Sequence, residues 1–266
     1  AAPVVTGIVA LLLDADPTDA AACGLTFLTA YSMMRTKAYL LPGQRVLITG
    51  IGGGVALAAL SIAKHLGCEV CVTSRHAWKL EKAKELGANH GVLDEGADWS
   101  RDVRKWSRKR GVDLAVDSAG KVTHLWCIKS LARGGAYVTP GCTSGPNATT
   151  DLARIFWNQL RILGSTMGTD DEFREVASLF TAGRVRPVVD RVLPADRATG
   201  NITINPFSEP GRDALFIETT PLRGEGPFTI YRAGIDISQD LSLGAGNVTN
   251  AASPGFPFDQ GALRLD

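Results

Sequence analysis

The sequence has no excess of charge of one sign. Its 266 residues carry 28 Lys and Arg against 27 Asp and Glu, a net charge of +1. A dedicated nucleic-acid or polyphosphate binder needs a broad positive field, so we expect no nucleic-acid partner. Hydrophobic residues make up 45% of the chain, which is enough for a buried core and excludes a disordered or fibrous protein.

Cysteine and long apolar runs are also scarce. Five cysteines, an odd number, argue against a disulfide framework and favour a reducing compartment, the cytoplasm. The uncharged stretch 1–13 is shorter than the roughly 20 apolar residues of a membrane helix, so we expect no membrane association. We interpret it as a buried strand or packing segment rather than a signal-peptide remnant. Because the chain does not begin with Met, we expect residues 1–16 to be the N-terminal remnant of a longer protein.

Composition changes near residue 200. Residues 201–266 contain four Arg, no Lys and eight acidic residues, a net charge of −4, together with 8 Gly and 6 Pro. Their apolar residues alternate in short runs, which is typical of short strands and turns. We therefore predict a divergent segment, rich in β-strand and coil, over residues 198–266.

Residues 17–197 instead alternate β-branched runs with segments of helical period. The spacing predicts strands over 45–50, 69–73, 90–93, 113–117, 135–139 and 161–165. It predicts helices over 17–37, 54–66, 76–86, 98–110, 121–132 and 151–160. Since parallel strands need a long crossover, usually a helix, we predict an α/β domain with a doubly wound, Rossmann-type parallel sheet and helices on both faces.

A glycine-rich turn after the first strand is the strongest local motif. It contains Gly50, Gly52, Gly53 and Gly54, and a helix follows directly. Glycines allow the backbone to approach a ligand, and the N–H groups of a helix start attract phosphate. The turn predicts a pyrophosphate site, although Val55 replaces the third glycine of the G-x-G-x-x-G pattern. The alternative is a tight strand-to-helix turn that binds nothing.

The end of the second strand predicts which nucleotide binds. An acidic residue there would bind the ribose hydroxyls of NAD, but the chain has Ser74, Arg75 and Lys79 in this region. These side chains could bind the 2′-phosphate of NADP, so we predict NADPH in preference to NAD. The alternative is that they are surface cations at a helix start. The missing carboxylate also disfavours a class I methyltransferase.

Seven segments of residues 17–197 form a characteristic series. They are LTAY at 28–31, VLITGIGGGVALAAL at 46–60, KLEKAKELGAN at 79–89, GVDLAVDSAG at 111–120, LARGGAYVTPGCTSG at 131–145, ILGSTMGTDDEF at 162–173 and GRVRPVVDRVLP at 183–194. Together they resemble the cofactor-binding domain of the medium-chain dehydrogenase/reductase superfamily, in its zinc-type alcohol dehydrogenase-like and quinone oxidoreductase branch.

The resemblance implies an NADPH-dependent oxidoreductase that transfers hydride to a carbonyl or an activated alkene. Its substrate would be a small molecule of the carbonyl, quinone or enal class, and the chain would form a homodimer through an edge strand. By the same resemblance the cofactor contacts fall on twelve residues at the ends of the strands: Gly52, Gly53, Gly54, Val55, Ser74, Arg75, Lys79, Asp117, Ser118, Gly141, Thr143 and Ser144.

The chain also departs from this family. The catalytic domain that precedes the cofactor domain, with its Cys and His zinc ligands, has almost no counterpart. A further ligand position is occupied by Leu25, and Cys23 lies two residues earlier. We therefore expect no zinc and assign no catalytic residue. The alternative function is a catalytically inactive nucleotide-binding remnant or an interaction module.

Two other motifs have structural explanations. Cys68 and Cys71 form a C-x-x-C, but residues three apart on a strand point to opposite faces, so we predict structural cysteines. The fourth predicted helix carries six cations, which could form a nucleic-acid patch. Trp99, Val103 and Trp106 share helical spacing on it, so we predict that the aromatic rings pack inward and the cations are solvated.

Overall fold

The computed structural model describes residues 17–189 and four short strands beyond them. Phe216–Thr219 pairs antiparallel with Phe228–Tyr231, and Asn247–Val248 pairs antiparallel with Leu263–Arg264. Short strands are the structure that the period-two alternation predicts for this part of the chain. The expectations for residues 1–16, and the remainder of those for the segment after 189, lie outside the described residues.

Six parallel strands form the central sheet, in the order β3-β2-β1-β4-β5-β6. Their bounds are β1 Arg45–Ile48, β2 Glu69–Ser74, β3 His90–Leu93, β4 Val112–Val116, β5 Leu131–Thr139 and β6 Arg161–Gly164. The strand order reverses direction at β1, which pairs with both β2 and β4. This confirms the predicted doubly wound sheet, whose ligands bind beyond the carboxyl ends of the strands at the reversal.

Residues 17–189 contain seven α-helices. Their bounds are α1 Pro17–Tyr31, continued by a π-helical segment Ser32–Lys37, α2 Gly54–His65, α3 Ala77–Glu85, α4 Ser100–Trp106, α5 His124–Ser130, α6 Leu152–Asn158 and α7 Asp170–Thr181. Helices α2 to α6 connect successive strands, whereas α1 precedes β1 and α7 follows β6. None of these helices combines the length and apolarity that crossing a lipid bilayer requires.

The last helix, α7, is absent from the sequence-based prediction. Thr169 and Glu172 form a capping box in which the Thr169 side chain accepts the Glu172 amide and the Glu172 carboxylate accepts the Thr169 amide. Asp170 and Asp171 add negative charge to the first turn, where it favours a helix. The T-x-x-E spacing was therefore a usable signal for this helix.

Two predicted helices are shorter than expected. α4 ends at Trp106, because Arg108 and Lys109 take φ angles of 54° and 66° that cannot continue a right-handed helix. α5 ends at Ser130, because the chain enters β5 at the next residue, earlier than its apolar run suggests. The positions of the remaining elements agree with the prediction.

The sheet separates two apolar layers, and the two motif cysteines lie in different ones. Cys68 packs in the layer formed with α1 and α2, whereas Cys71 packs in the layer formed with α4 and α5. Trp99 and Val103 are buried in this second layer, and Trp106 packs against it. The structure therefore confirms both predictions: the cysteines are core residues and the aromatic face of α4 points inward.

Candidate functional site

The glycine turn joins β1 to α2 at the carboxyl edge of the sheet. Gly50 and Gly52 have φ angles of 61° and 115°, which favour glycine at both positions. The Ile51 amide donates to the carbonyl of Thr73 at 2.9 Å and so ties the turn to β2. Gly53 occupies the N-cap position without a capping side chain, so the first amides of α2 are directed towards any anion bound above the turn.

The substitution at the third glycine position is explained by packing. Val55 lies in the first turn of α2 and packs against the apolar layer that this helix forms with α1. Its side chain therefore contributes to the core. The turn keeps glycine at the positions with unusual φ angles, and the literal G-x-G-x-x-G pattern is not needed for its shape.

The end of β2 carries the three polar residues predicted to select the nucleotide. Ser74 is buried, with 5% exposure, and its hydroxyl accepts the amide of His76 at 3.1 Å. Arg75 is exposed, and Lys79 is half-buried with its ammonium 5.3 Å from the centre of the Trp78 ring. Arg75 thus lies directly after β2 and Lys79 lies on α3, while Ser74 also shapes the turn between them.

Asp117, at the end of β4, has a different environment from the one expected of a ligand-lining residue. Its carboxylate is fully buried, with 0% exposure. Three hydroxyls donate to it: Thr49 at 2.5 Å, Thr123 at 2.8 and 2.9 Å to the two oxygens, and Tyr137 at 2.8 Å. The amides of residues 119 and 120 complete the set at 3.1 and 3.2 Å. These five donor groups enclose the buried carboxylate.

The loop after β4 is joined to the loop after β5 by a ladder of hydrogen bonds. Thr143 donates from its amide to the Ser118 carbonyl at 3.1 Å, and Ser144 donates from its amide to the Ala119 carbonyl at 2.8 Å. Gly120 has a φ of 85°, and a Cβ there would lie 2.9 Å from the Cβ of Cys142. The two loops can pack this closely only because residue 120 has no side chain.

The ionisable groups beside this loop favour their neutral forms. Burial lowers the pKa of His124, and the nearby Asp117 carboxylate opposes the shift. Burial raises the pKa of Tyr137, and Asp117 raises it further, so the phenol remains a hydrogen-bond donor. The His124 ring lies edge-on to Tyr137, with the ring centres 4.6 Å apart, and its Nε2 is hydrogen-bonded to Thr150.

The sequence did not reveal the partners of Asp117. Thr49 directly follows β1, and Thr123 lies between β4 and α5. Polar residues after strand ends were therefore the available signal. Tyr137 lies within an apolar strand, and only the pairing of β5 with β4 places its hydroxyl beside the carboxylate. The remaining predicted loop residues, Ser118 and Gly141, lie at the same edge of the sheet.

The residues near the expected zinc position do not suit a metal. Cys23 lies in α1 with 2% exposure, and burial, followed by the charge of Asp19, raises the pKa of its thiol to about 12. Leu25, at the aligned ligand position, is half-exposed. In the part of the chain that the structure describes, no group of three or more His, Cys, Asp or Glu side chains could hold a metal ion.

Comparison with known proteins gives consistent matches over this domain. Residues 54–182 match the family model of the zinc-binding dehydrogenases. The zinc-type alcohol dehydrogenase-like protein YogA of Leptosphaeria maculans is 31% identical over 181 residues, which are 64% of this chain and 48% of the relative. The NAD-dependent alcohol dehydrogenase of Sulfurisphaera tokodaii is 28% identical over 201 residues, 74% of this chain and 57% of the relative. The chain thus spans about half the length of the curated relatives it matches.

Solved structures agree with these relatives. The crystal structure of an NAD-dependent alcohol dehydrogenase superposes with a TM-score of 0.63 at 37% identity, covering 67% of this chain and 52% of that chain. The 2-octenoyl-CoA carboxylase reductase CinF, solved in complex with NADP and 2-octenoyl-CoA, gives a TM-score of 0.59 at 27% identity, covering 64% and 42%. Both likenesses concern the domain with the glycine turn.

Proposed function

The chain belongs to the medium-chain dehydrogenase/reductase superfamily and contains its cofactor-binding domain, and from this premise we propose that it binds NADP(H) as the cofactor half of an oxidoreductase. The glycine turn carries the proposal: it lies where the strand order reverses, and its N-cap residue leaves the first amides of α2 directed outward. The pyrophosphate would bind there, against Gly52, Gly53, Gly54 and Val55.

The preference for NADPH over NADH rests on the end of β2. Relatives differ in cofactor, since one is named NAD-dependent and another was solved with NADP. In this chain Arg75 is exposed at that position, with Ser74 and Lys79 close in sequence and no carboxylate among residues 71–79. A guanidinium makes paired, charge-assisted bonds to phosphate, so this site favours the nucleotide with a 2′-phosphate.

The nicotinamide, when bound, supplies the hydride. We assign its ribose and ring to the loops after β4 and β5, with Ser118, Gly141, Thr143 and Ser144 in contact and Asp117 beneath them. The hydride acceptor we propose is a small carbonyl, quinone or enal. Names of relatives support this class, since they include alcohol dehydrogenases and a reductase solved with 2-octenoyl-CoA. No zinc takes part in this proposal, because the residues around Cys23 do not suit it.

A titration with NADPH and NADH in parallel, followed by nicotinamide fluorescence, tests the nucleotide site. Arg75→Ala should weaken NADPH binding by about ten- to a hundredfold, the worth of a charge-assisted bond of roughly 1.5 to 3 kcal/mol, and leave NADH nearly unchanged. Arg101→Ala, an exposed arginine on α4, is the matched control and should change neither. Equal losses for both nucleotides would contradict the 2′-phosphate assignment, and binding of neither would contradict the cofactor site.

A second candidate function is a nucleotide-binding module without turnover. It is favoured by the ionisable groups beside the loops after β4 and β5, since Asp117 and Tyr137 are buried and hydrogen-bonded to each other. The two functions separate on NADPH oxidation by the purified chain with quinones, enals and small aldehydes. Steady turnover excludes the module, whereas silence across the panel with NADPH bound excludes the oxidoreductase for this chain.

We also propose that the protein is a cytoplasmic homodimer. All five cysteines are unbonded, which supports a reducing compartment. Among the described strands β6 pairs only with β5, and Ile162 on this edge strand is 46% exposed. The preceding helix α6 exposes Phe156 and Trp157 at 68% and 74%. Exposed apolar side chains beside the free edge of a strand are typical of an interface between subunits. Sedimentation equilibrium should show a dimer that Ile162→Lys dissociates.

A further inference from the structure

The buried carboxylate of Asp117 joins the sheet to the loop above it through each of its two oxygens. Oδ1 accepts the Thr49 hydroxyl from the end of β1 and, on the other side, the Ala119 amide. Oδ2 accepts the Tyr137 hydroxyl from β5 and the Gly120 amide. Thr123 donates to both oxygens from the far end of the same loop. Each oxygen therefore accepts one hydrogen bond from the sheet side and two from the loop.

The loop that Asp117 holds also sets the position of the next loop. The carbonyls of Ser118 and Ala119 accept the amides of Thr143 and Ser144, and the Ser144 hydroxyl donates to Ala119 as well. In return, the Val122 amide donates to the Ser144 hydroxyl at 3.1 Å. A displacement of the residues after β4 would therefore move both loops together.

We propose that Asp117 is a positioning residue for the nicotinamide half of the cofactor, acting through these two loops and not by touching the nucleotide. The inference rests on the proposed function, which assigns the nicotinamide to the same loops. Complete burial of Asp117 and its full set of donors rule out a direct contact without breaking the network. The loop-side hydrogen bonds, from Ala119, Gly120 and Thr123, fix the position of residues 118–120 relative to the sheet. The sheet-side bonds, from Thr49 and Tyr137, fix the position of the carboxylate.

This division provides a matched pair of variants. Thr123→Val removes a loop-side hydroxyl and Tyr137→Phe removes a sheet-side hydroxyl from the same carboxylate, each with little change in side-chain shape. Both residues are buried, at 4% and 2% exposure, so both variants lose hydrogen bonds to a buried charge. A purely structural role for the network predicts similar effects of the two on ligand binding. A positioning role predicts different effects.

The experiment uses the purified 266-residue chain and two probes, NADPH and adenosine 2′,5′-bisphosphate, which carries the 2′-phosphate but no nicotinamide. Thr123→Val should weaken NADPH binding about tenfold, the equivalent of one hydrogen bond to a charged group, and leave the bisphosphate within about twofold. Tyr137→Phe should leave the binding of both probes within about twofold. Thr123→Ser, which restores the hydroxyl, should recover NADPH affinity.

Asp117→Asn extends the test, because it removes the negative charge and replaces one of the two acceptor oxygens with an NH2 donor, so that one of the two loop amides loses its acceptor. It should weaken NADPH binding by about ten- to a hundredfold and leave the bisphosphate unchanged. Urea unfolding of every variant confirms that the binding measurements are made on folded protein. Equal NADPH losses in Thr123→Val and Tyr137→Phe, parallel loss of the bisphosphate, or no loss in Thr123→Val would each overturn the inference. A parent chain that binds neither probe overturns the proposed function itself, and this outcome is distinct from the others.

Discussion

The two ends of the candidate cofactor site are built in opposite ways. Arg75, directly after β2, is exposed, and Lys79 on α3 is half-buried. At the end of β4, Asp117 is fully buried and accepts hydrogen bonds from three hydroxyls and two amides. Exposed cations can discriminate between ligands at little cost to the fold, whereas a buried network couples ligand geometry to stability. The two ends should therefore respond differently to the same kinds of change.

Loss of the buried carboxylate should have the largest effect on stability. Asp117→Ala leaves three buried hydroxyls and two amides without their acceptor, and we expect the free energy of unfolding to fall by roughly 3 to 5 kcal/mol. Arg75→Ala should change it by less than about 0.5 kcal/mol, as for other exposed side chains. Urea unfolding followed by circular dichroism measures both. Similar values for the two variants would remove the distinction between the ends.

The glycine turn lies between the two ends and should affect binding of both nucleotides. Gly52→Ala places a side chain at a φ of 115°, with a strain of about 1 to 2 kcal/mol, on the backbone that would approach the pyrophosphate. We expect NADPH and NADH to weaken together, by about ten- to a hundredfold. Gly96→Ala is the control, because it has a φ of 83° in an exposed loop with open space around it. It should lose stability but keep affinity, and a selective loss of one nucleotide in Gly52→Ala would contradict the pyrophosphate assignment.

Acid should weaken the buried end through a histidine. The folded-state pKa of His124 is lowered by burial from its ordinary value of 6.5, so below that pH the unfolded chain binds a proton that the folded chain resists. Stability is therefore present above about pH 6.5 and decreases as the pH falls towards the lowered pKa. His90, on β3, has a pKa shifted in the same direction by burial and by Lys84, so it contributes with the same sign.

Unfolding in urea at several pH values between 7.5 and 5.5 measures this dependence. His124→Asn should reduce the slope, and the double variant with His90→Asn should reduce it further. Lower stability at pH 7.5 than at pH 5.5 in the parent would contradict the direction. An unchanged slope in the double variant would assign the dependence to other groups.

Salt should act mainly on the exposed end, and this is the smallest expected effect. Raising ionic strength from about 0.05 to 0.5 M shortens the Debye length from roughly 14 to 4 Å, so the attraction between Arg75 and a 2′-phosphate is screened. NADPH affinity should fall a few-fold more than NADH affinity, as measured by fluorescence titration. Arg75→Ala should make the two salt dependences parallel. Parallel dependences already in the parent would count against an exposed cation as the selecting group.

Sequence patterns predicted the sheet better than they predicted the helix ends. Strand positions follow from β-branched runs, and the parallel sheet follows from the alternation with helices. The end of α4 depends on the positive φ angles of Arg108 and Lys109, which no apolar period reveals. The Thr169 and Glu172 pair indicated the start of helix α7. The apolar residues of this helix stabilise it only when the rest of the fold provides a layer for them to pack against.

The candidate site also has a part that the sequence predicted and a part that it did not. The glycine turn and the cations after β2 are local features, readable because they lie within a few residues of a strand end. Two of the five donors to Asp117 are non-local, since Thr49 and Tyr137 lie 68 and 20 residues away in the chain. The complete burial of Asp117 therefore could not be inferred from the strand-end rule.

By itself, the sequence determined the α/β class, the superfamily, the position of the glycine turn and the absence of a carboxylate after β2, because each depends on residue types at short spacing. Only the tertiary structure decided that Asp117 is enclosed by five donor groups, that Val55 packs against the core and that the two loops at residues 118–120 and 143–144 are joined by hydrogen bonds. Hydrogen bonds between elements far apart in the chain form only when strand pairing sets their distance, and that information is absent from local patterns.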